Sequence, residues 1–149
     1  MFTLDYRLDA YGAAIADKSN LATVDPATLR YHLFPGDVVV RGEGADFSAP
    51  WGWVPVLDFA LCLSGIGQQV ERDGEARFEF TESTAVLEFT RDETHVAISA
   101  SYAPGVLRIE RSEFADAVAR FERRVVDELC ARYPRLAQNA ELQRTRGGR

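Results

Sequence analysis

Residues 2–8, FTLDYRL, alternate between two faces. Phe2, Leu4, Tyr6 and Leu8 share one, and Thr3, Asp5 and Arg7 share the other. That two-residue period predicts a half-buried strand. Residues 9–27 mix Gly, Ala, Asp, Ser and Asn without a period and predict a loop with room for a short helical turn. Leu29, Tyr31 and Leu33 then alternate with Arg30 and His32, and residues 38–40 are a β-branched run. Between them Phe34-Pro35-Gly36-Asp37 carries turn chemistry, so a hairpin is expected. Residues 42–52, GEGADFSAPWG, read as a loop.

Residues 54–70, VPVLDFALCLSGIGQQV, are apolar around most of a helical circumference. Pro55 suits a first helical turn, and a helix oily nearly all round is usually sandwiched inside a fold. Residues 75–110 read as four strands joined by short connections at Glu82-Ser83, Asp92-Glu93 and Ala103-Pro104-Gly105, which predicts an antiparallel meander. Their apolar set is Phe78, Phe80, Ala85, Leu87, Phe89, Val96, Ile98, Ala100, Tyr102, Leu107 and Ile109.

From Ser112, a good N-cap, the residues Phe114, Ala117, Val118, Phe121, Val125, Leu129 and Tyr133 recur at three- and four-residue steps. This is the clearest helical stripe in the chain. Arg120, Glu122, Arg123, Arg124, Asp127, Glu128 and Arg132 fall on the polar side. Pro134 ends or kinks the helix, a short helix is expected around residues 136–142, and RTRGGR (144–149) is expected to be a frayed basic tail. Segregated strands and helices predict an α+β fold. The expectation is one domain, residues 1–143, with an antiparallel sheet of six to seven strands. A central apolar helix and a long C-terminal amphipathic helix would pack on one face.

Composition narrows the function classes. At 149 residues, 46% hydrophobic and 27% charged, the chain can bury roughly two-thirds of its unfolded surface without a metal or disulfide staple. The net charge is −6, and without Arg144, Arg146 and Arg149 fourteen basic residues face 23 acidic ones, a balance of −9. Such a body repels phosphate backbones, so nucleic-acid binding is not expected, whereas a basic protein partner suits it. Cys62 and Cys130 sit in apolar helical patterns with no CxxC and are expected as buried free thiols, bridged only if their helices touch. The start MFTLDYRLDAYG lacks signal-peptide character and no apolar run reaches ~18 residues, so a cytoplasmic, non-membrane protein is expected.

Candidate chemistry is sparse. His32 and His95 both fall in predicted strands, without the HxxxH or CxxC partners that a zinc site needs. His95 has Asp92 and Glu93 as sequence neighbours. Ser64 misses the GxSxG elbow, and Gly42-Glu43-Gly44 lacks the Lys-Ser/Thr of a phosphate cradle. Asp58, the one acid inside the apolar helix, fits either a general base or an acid placed at the helix N-terminus. No catalytic, cofactor or metal-binding residue is therefore expected. The unusual string is Pro50-Trp51-Gly52-Trp53-Val54-Pro55, whose tryptophans suit either a cover for the core or a partner contact. Glu71, Asp73, Glu75, Glu79, Glu82, Glu88, Asp92 and Glu93 face only Arg72, Arg77 and Arg91 in one stretch, which suits a solvated sheet face or an acidic docking surface.

The Trp-containing loop, VLDFALCL, the meander ending SASYAPGVLRIE, and SEFADAVARFERRVVDELCARYPRL followed by an Asn together resemble small uncharacterised actinobacterial proteins. Some of these are similar to immunity proteins of polymorphic-toxin systems. The resemblance spans about residues 51–142 and transfers no functional residue. It implies a cytoplasmic binder that neutralises a toxin by tight contact, and the acidic body suits a basic one. The expected partner-binding residues are Trp51, Trp53, Glu79 and Glu88. The alternatives are a small-molecule binder or enzyme with a pocket between helix and sheet, and a homo-oligomeric accessory or scaffold protein, a homodimer for example.

Overall fold

The computed structural model describes residues 2–81 and 83–147. Among these residues eight strands and five α-helices run in the order β1 (Thr3–Leu8), α1 (Ala10–Asp17), α2 (Pro26–Tyr31), β2 (Pro35–Gly42), β3 (Ala45–Asp46), β4 (Ala49–Pro55), α3 (Val56–Asp73), β5 (Glu75–Glu79), β6 (Val86–Arg91), β7 (His95–Ala100), β8 (Leu107–Glu110), α4 (Arg111–Arg132) and α5 (Ala140–Gly147), with a 3₁₀ turn at Pro134–Gln138 before α5. The fold is α+β and antiparallel, but its strands form two four-stranded sheets rather than one sheet of six to seven. In the first, β2 is central, with β1 on one side and β3 and β4 on the other. The second is the meander β5-β6-β7-β8.

The meander and α4 follow the sequence pattern closely. Leu87, Phe89, Val96, Ile98, Leu107 and Ile109 are buried, while Glu88, Thr90, Arg108 and Glu110 between them are exposed. Every residue of the α4 stripe from Phe114 to Tyr133 is buried. Glu122, expected on the polar side, is buried too. Side chains from both sheets and both long helices meet around one small void lined by Leu4, Val40, Leu63, Leu87, Phe114 and Val118, among others. Each large side chain buried there contributes about 1.5–3 kcal/mol.

α3 is closed by Gly74, whose N–H donates to Val70 O at 2.9 Å. From β6, Arg91 adds a second donor to the Val70 carbonyl and also bonds that of Glu71, both at 2.9 Å, in the last turn where a helix leaves acceptors open.

After β1, which is the strand expected over residues 2–8, the N-terminal third departs from the pattern. Residues 9–27 hold α1 and the start of α2. The expected strand at Leu29, Tyr31 and Leu33 is α2 and its exit. Leu29 and Leu33 are buried there, but Tyr31 is 47% exposed, so the three do not share a face. Asp25 caps α2, accepting from Thr28 N–H at 3.2 Å, with Pro26 in the first turn. Pro35-Gly36-Asp37, expected as a turn, opens β2. The expected loop at 42–52 contains β3 and most of β4.

α4 begins at Arg111 rather than at Ser112, with no side-chain cap. α5 carries helix to Gly147, so of the expected tail only Gly148 and Arg149 lie outside the described residues, as does Glu82 of the acidic stretch.

Candidate functional site

Trp51 and Trp53 stand on a bulge in β4. Gly36 pairs with Val54 and Val38 with Ala49, so two steps along β2 face five along β4. The surplus residues leave the ladder, which is what a bulge does to a strand. Gly52 at the apex has φ +78°, a left-handed conformation that glycine adopts without strain. Its N–H donates to Asp37 Oδ1 at 2.8 Å, tying the bulge to β2.

The excursion brings the two indoles together. Their centroids are 5.2 Å apart and their planes 21° from parallel. Trp51 is half-buried and meets Phe80 and Tyr102 edge to face, at 5.2 and 5.1 Å. Tyr102 is in turn anchored by its hydroxyl, which donates to Phe47 O at 2.5 Å. Burial and the nearby Asp46 carboxylate raise the Tyr102 pKa, keeping it a neutral donor. Trp53 lies on the outside of the stack and is 38% exposed. The two indoles thus differ in their surroundings. Trp51 covers the junction between the sheets, and Trp53 faces solvent on a base it does not have to order for itself.

Glu79 and Glu88 are elsewhere. They point outward from the second sheet, opposite to Phe78, Phe80 and Phe89, which are buried beneath it. Glu79 pairs with Arg77 at 3.1 Å, whereas Glu88, opposite Arg77 in the ladder, makes no ion pair among the described residues. Other acids of the stretch are also paired: Glu71 with Arg111, Asp73 with Arg72, and Asp92 with Arg108. The acidic stretch is therefore a mixed surface: among its described residues Glu75, Glu88 and Glu93 make no ion pair, and the first two line a shallow groove of about 300 Å³.

The other candidates resolve into structural roles. Arg30 donates from Nε to Asp58 Oδ1 at 2.6 Å, reaches Cys62 Sγ at 3.4 Å, and lies 3.6 Å from Glu141. This cluster fastens α2 and α5 to α3. Nothing in the sequence pairs Arg30 with Asp58, although an acid in an oily helix signals that a partner is needed. Burial, reinforced by the Asp58 charge, pushes the Cys62 thiol up to about 11, the opposite of an activated nucleophile. Cys62 and Cys130, expected to be buried, are both half-buried. Ser64 sits inside α3, and Gly42-Glu43-Gly44 forms the turn from β2 into β3.

His32 ends α2 and is exposed. His95 lies in β7, where its backbone N–H, not its ring, bonds Asp92 Oδ1 at 2.7 Å. Among the described residues no group of three or more His, Cys, Asp or Glu side chains is arranged to hold a metal ion. No helix among them is long and apolar enough to cross a membrane. The void between α4 and the sheets has no room for a water molecule. The chain matches no family model, no curated protein and no solved structure.

Proposed function

We propose that the chain is a non-enzymatic, cytoplasmic protein-binding domain that holds a basic partner, of the kind an immunity protein meets in a toxin. The observation that carries this reading is the bulge that stacks Trp53 on Trp51 over Phe80 and Tyr102. A pre-ordered, partly exposed indole is the side chain most often found at interface hot spots, because it contributes much apolar area at little entropic cost. The net charge of −6 and the open carboxylates of Glu75 and Glu88 suit a basic partner through steering rather than through contact energy.

The two kinds of residue separate in kinetics. In surface plasmon resonance against the basic protein that co-purifies with the tagged chain, Trp53→Ala should raise the dissociation rate about tenfold or more, the cost of truncating a hot spot. Glu79→Lys with Glu88→Lys should slow association and flatten its dependence on salt. A complex indifferent to Trp53→Ala rejects the bulge as the contact. One indifferent to both charge reversals rejects the sheet face.

A further inference from the structure

We propose that the outer edge of β1 and the flank of α4 form a groove that takes an extended peptide bearing an acidic side chain, added to the first sheet as a further strand. Two hydrogen bonds show which β1 groups face the groove. Asp9 N–H donates to Pro35 O at 2.9 Å. In the register that pairs Thr3 with Arg41 and Leu8 with Gly36, the odd-numbered residues therefore exchange bonds with β2, and Leu4 and Tyr6 point N–H and C=O the other way. Tyr6 agrees, since its N–H donates to the carboxylate of Asp5 at 2.7 Å rather than to a strand. Among the described strands β1 pairs only with β2, so Leu4 carries no ladder bond and the edge is a template for another chain.

α4 runs beside this edge in the same direction. Phe2 meets Phe114, Tyr6 meets Phe121, and the Tyr6 hydroxyl donates to Glu128. Between them lies an open groove of about 310 Å³, with Thr3 and Leu4 on one wall and Ala117, Arg120 and Arg124 on the other. A strand edge facing a helix across a groove is the geometry that strand addition uses.

The chain itself supplies the recognition chemistry at one position. The Asp5 carboxylate bridges Tyr6 N–H and the Arg124 guanidinium of α4. Two residues back along the strand and four back along the helix, steps of roughly 6.6 and 6 Å, stand Leu4 N–H and Arg120. The residue that would bridge them is Thr3, which has no carboxylate. Arg120 is exposed and makes no ion pair among the described residues. In a chain of net charge −6 the described lining of this groove holds two arginines and no acid, and of the two Arg124 is already ion-paired. A partner's glutamate or aspartate fills the position that Thr3 leaves open. The groove flanks β2 on the side opposite the tryptophan bulge, so its test is independent of the reading above.

The test is fluorescence anisotropy with a labelled heptapeptide, Val-Glu-Val-Glu-Val-Thr-Val, alongside its Lys-for-Glu counterpart and a version N-methylated at alternate residues. Saturable binding of the glutamate peptide is expected, with about tenfold or greater loss for both control peptides, for Arg120→Glu, and for Thr3→Asp, which supplies the missing carboxylate internally. Amide exchange at Leu4 should slow when the peptide binds. Unchanged thermal midpoints for the two variants keep a folding defect from explaining the loss. No saturable binding, binding that survives either substitution, or binding that tolerates N-methylation overturns the proposal. So does a peptide-free dimer with the Leu4 amide already protected, which would give the edge to a second copy of the chain.

Discussion

Arg30 and Asp58 meet at 2.6 Å, Nε to Oδ1, and this contact fixes α2 against the first turn of α3. The Asp58 side chain is 6% exposed and that of Arg30 19%. Burial disfavours the Arg30 charge, but Asp58 and Cys62 outweigh it and leave its pKa raised. Removing one partner strands the other, so Arg30→Met alone should cost roughly 3 kcal/mol, near the lower end for a buried pair because the arginine keeps some water. The double variant Arg30→Met with Asp58→Leu should recover most of that loss. Urea unfolding of the wild type, the two single variants and the double gives the coupling directly. A double variant no better than Arg30→Met would show that the charges themselves are needed.

Cys62 provides a chemical reading of the same cluster. Its thiol is pushed from an ordinary 9.0 to about 11, first by burial and then by the Asp58 charge. At pH 8 the folded protein then carries about a hundredfold less thiolate at this position than an unperturbed thiol, and alkylation slows accordingly. Asp58→Asn removes a raising influence and should speed the reaction, while Arg30→Met removes a lowering one and should slow it further. Mass spectrometry of iodoacetamide-treated protein, resolved by peptide, measures both.

Much of this was legible in the sequence where burial has one clean period. The second sheet and α4 each bury one face against a continuous partner, so every second, or every third and fourth, residue is apolar. The N-terminal third has no such simplicity. Leu29, Tyr31 and Leu33 alternate by accident, and the decisive signal, Asp25 capping a helix that opens with Pro26, is short. Pro35-Gly36 resembles a turn, yet Pro35 is tolerated as the first residue of β2. The tryptophan string was conspicuous, but a bulge depends on register with β2, which no local pattern carries. The β1–α4 groove was equally hidden, because it joins Leu4 to Arg120 across most of the chain.

Acid should unfold the protein through its paired carboxylates. The backbone N–H groups of Thr94 and His95 hold Asp92 down to about 2, and Asp5 is also lowered, because Arg124 and Tyr6 N–H together outweigh its burial. A carboxyl group whose folded pKa lies below its unfolded value, 3.8 here, favours the folded state wherever it is ionised in both forms. That contribution is complete at neutral pH, begins to fade as pH falls toward 4, and is gone once pH passes below the folded value near 2. Urea midpoints measured from pH 6 to 2 should therefore be level and then fall. Asp92→Asn and Asp5→Asn should each make the fall shallower, and a slope unchanged in both would assign the acid sensitivity to other groups.

Gly36 and Gly65 should respond oppositely to one substitution. A Cβ on Gly36 would lie 2.1 Å from Arg7 O and 3.0 Å from Leu8 Cα. Both are backbone atoms of the paired β1, so no side chain can swing aside. Relief requires β1 to move off β2, which breaks the Asp9–Pro35 bond and the register that sets the β1 edge. Gly36→Ala should thus destabilise by about 3 kcal/mol or more, in the range of severe overpacking. Gly65 is exposed inside α3, and a Cβ there meets nothing within 4 Å. Gly65→Ala adds helix propensity without a clash and should stabilise by about 0.5–1 kcal/mol. Denaturant unfolding of both variants decides the point: a mild cost at Gly36 would mean that β1 and β2 do not approach so closely, and the strand-addition groove would lose its frame with them.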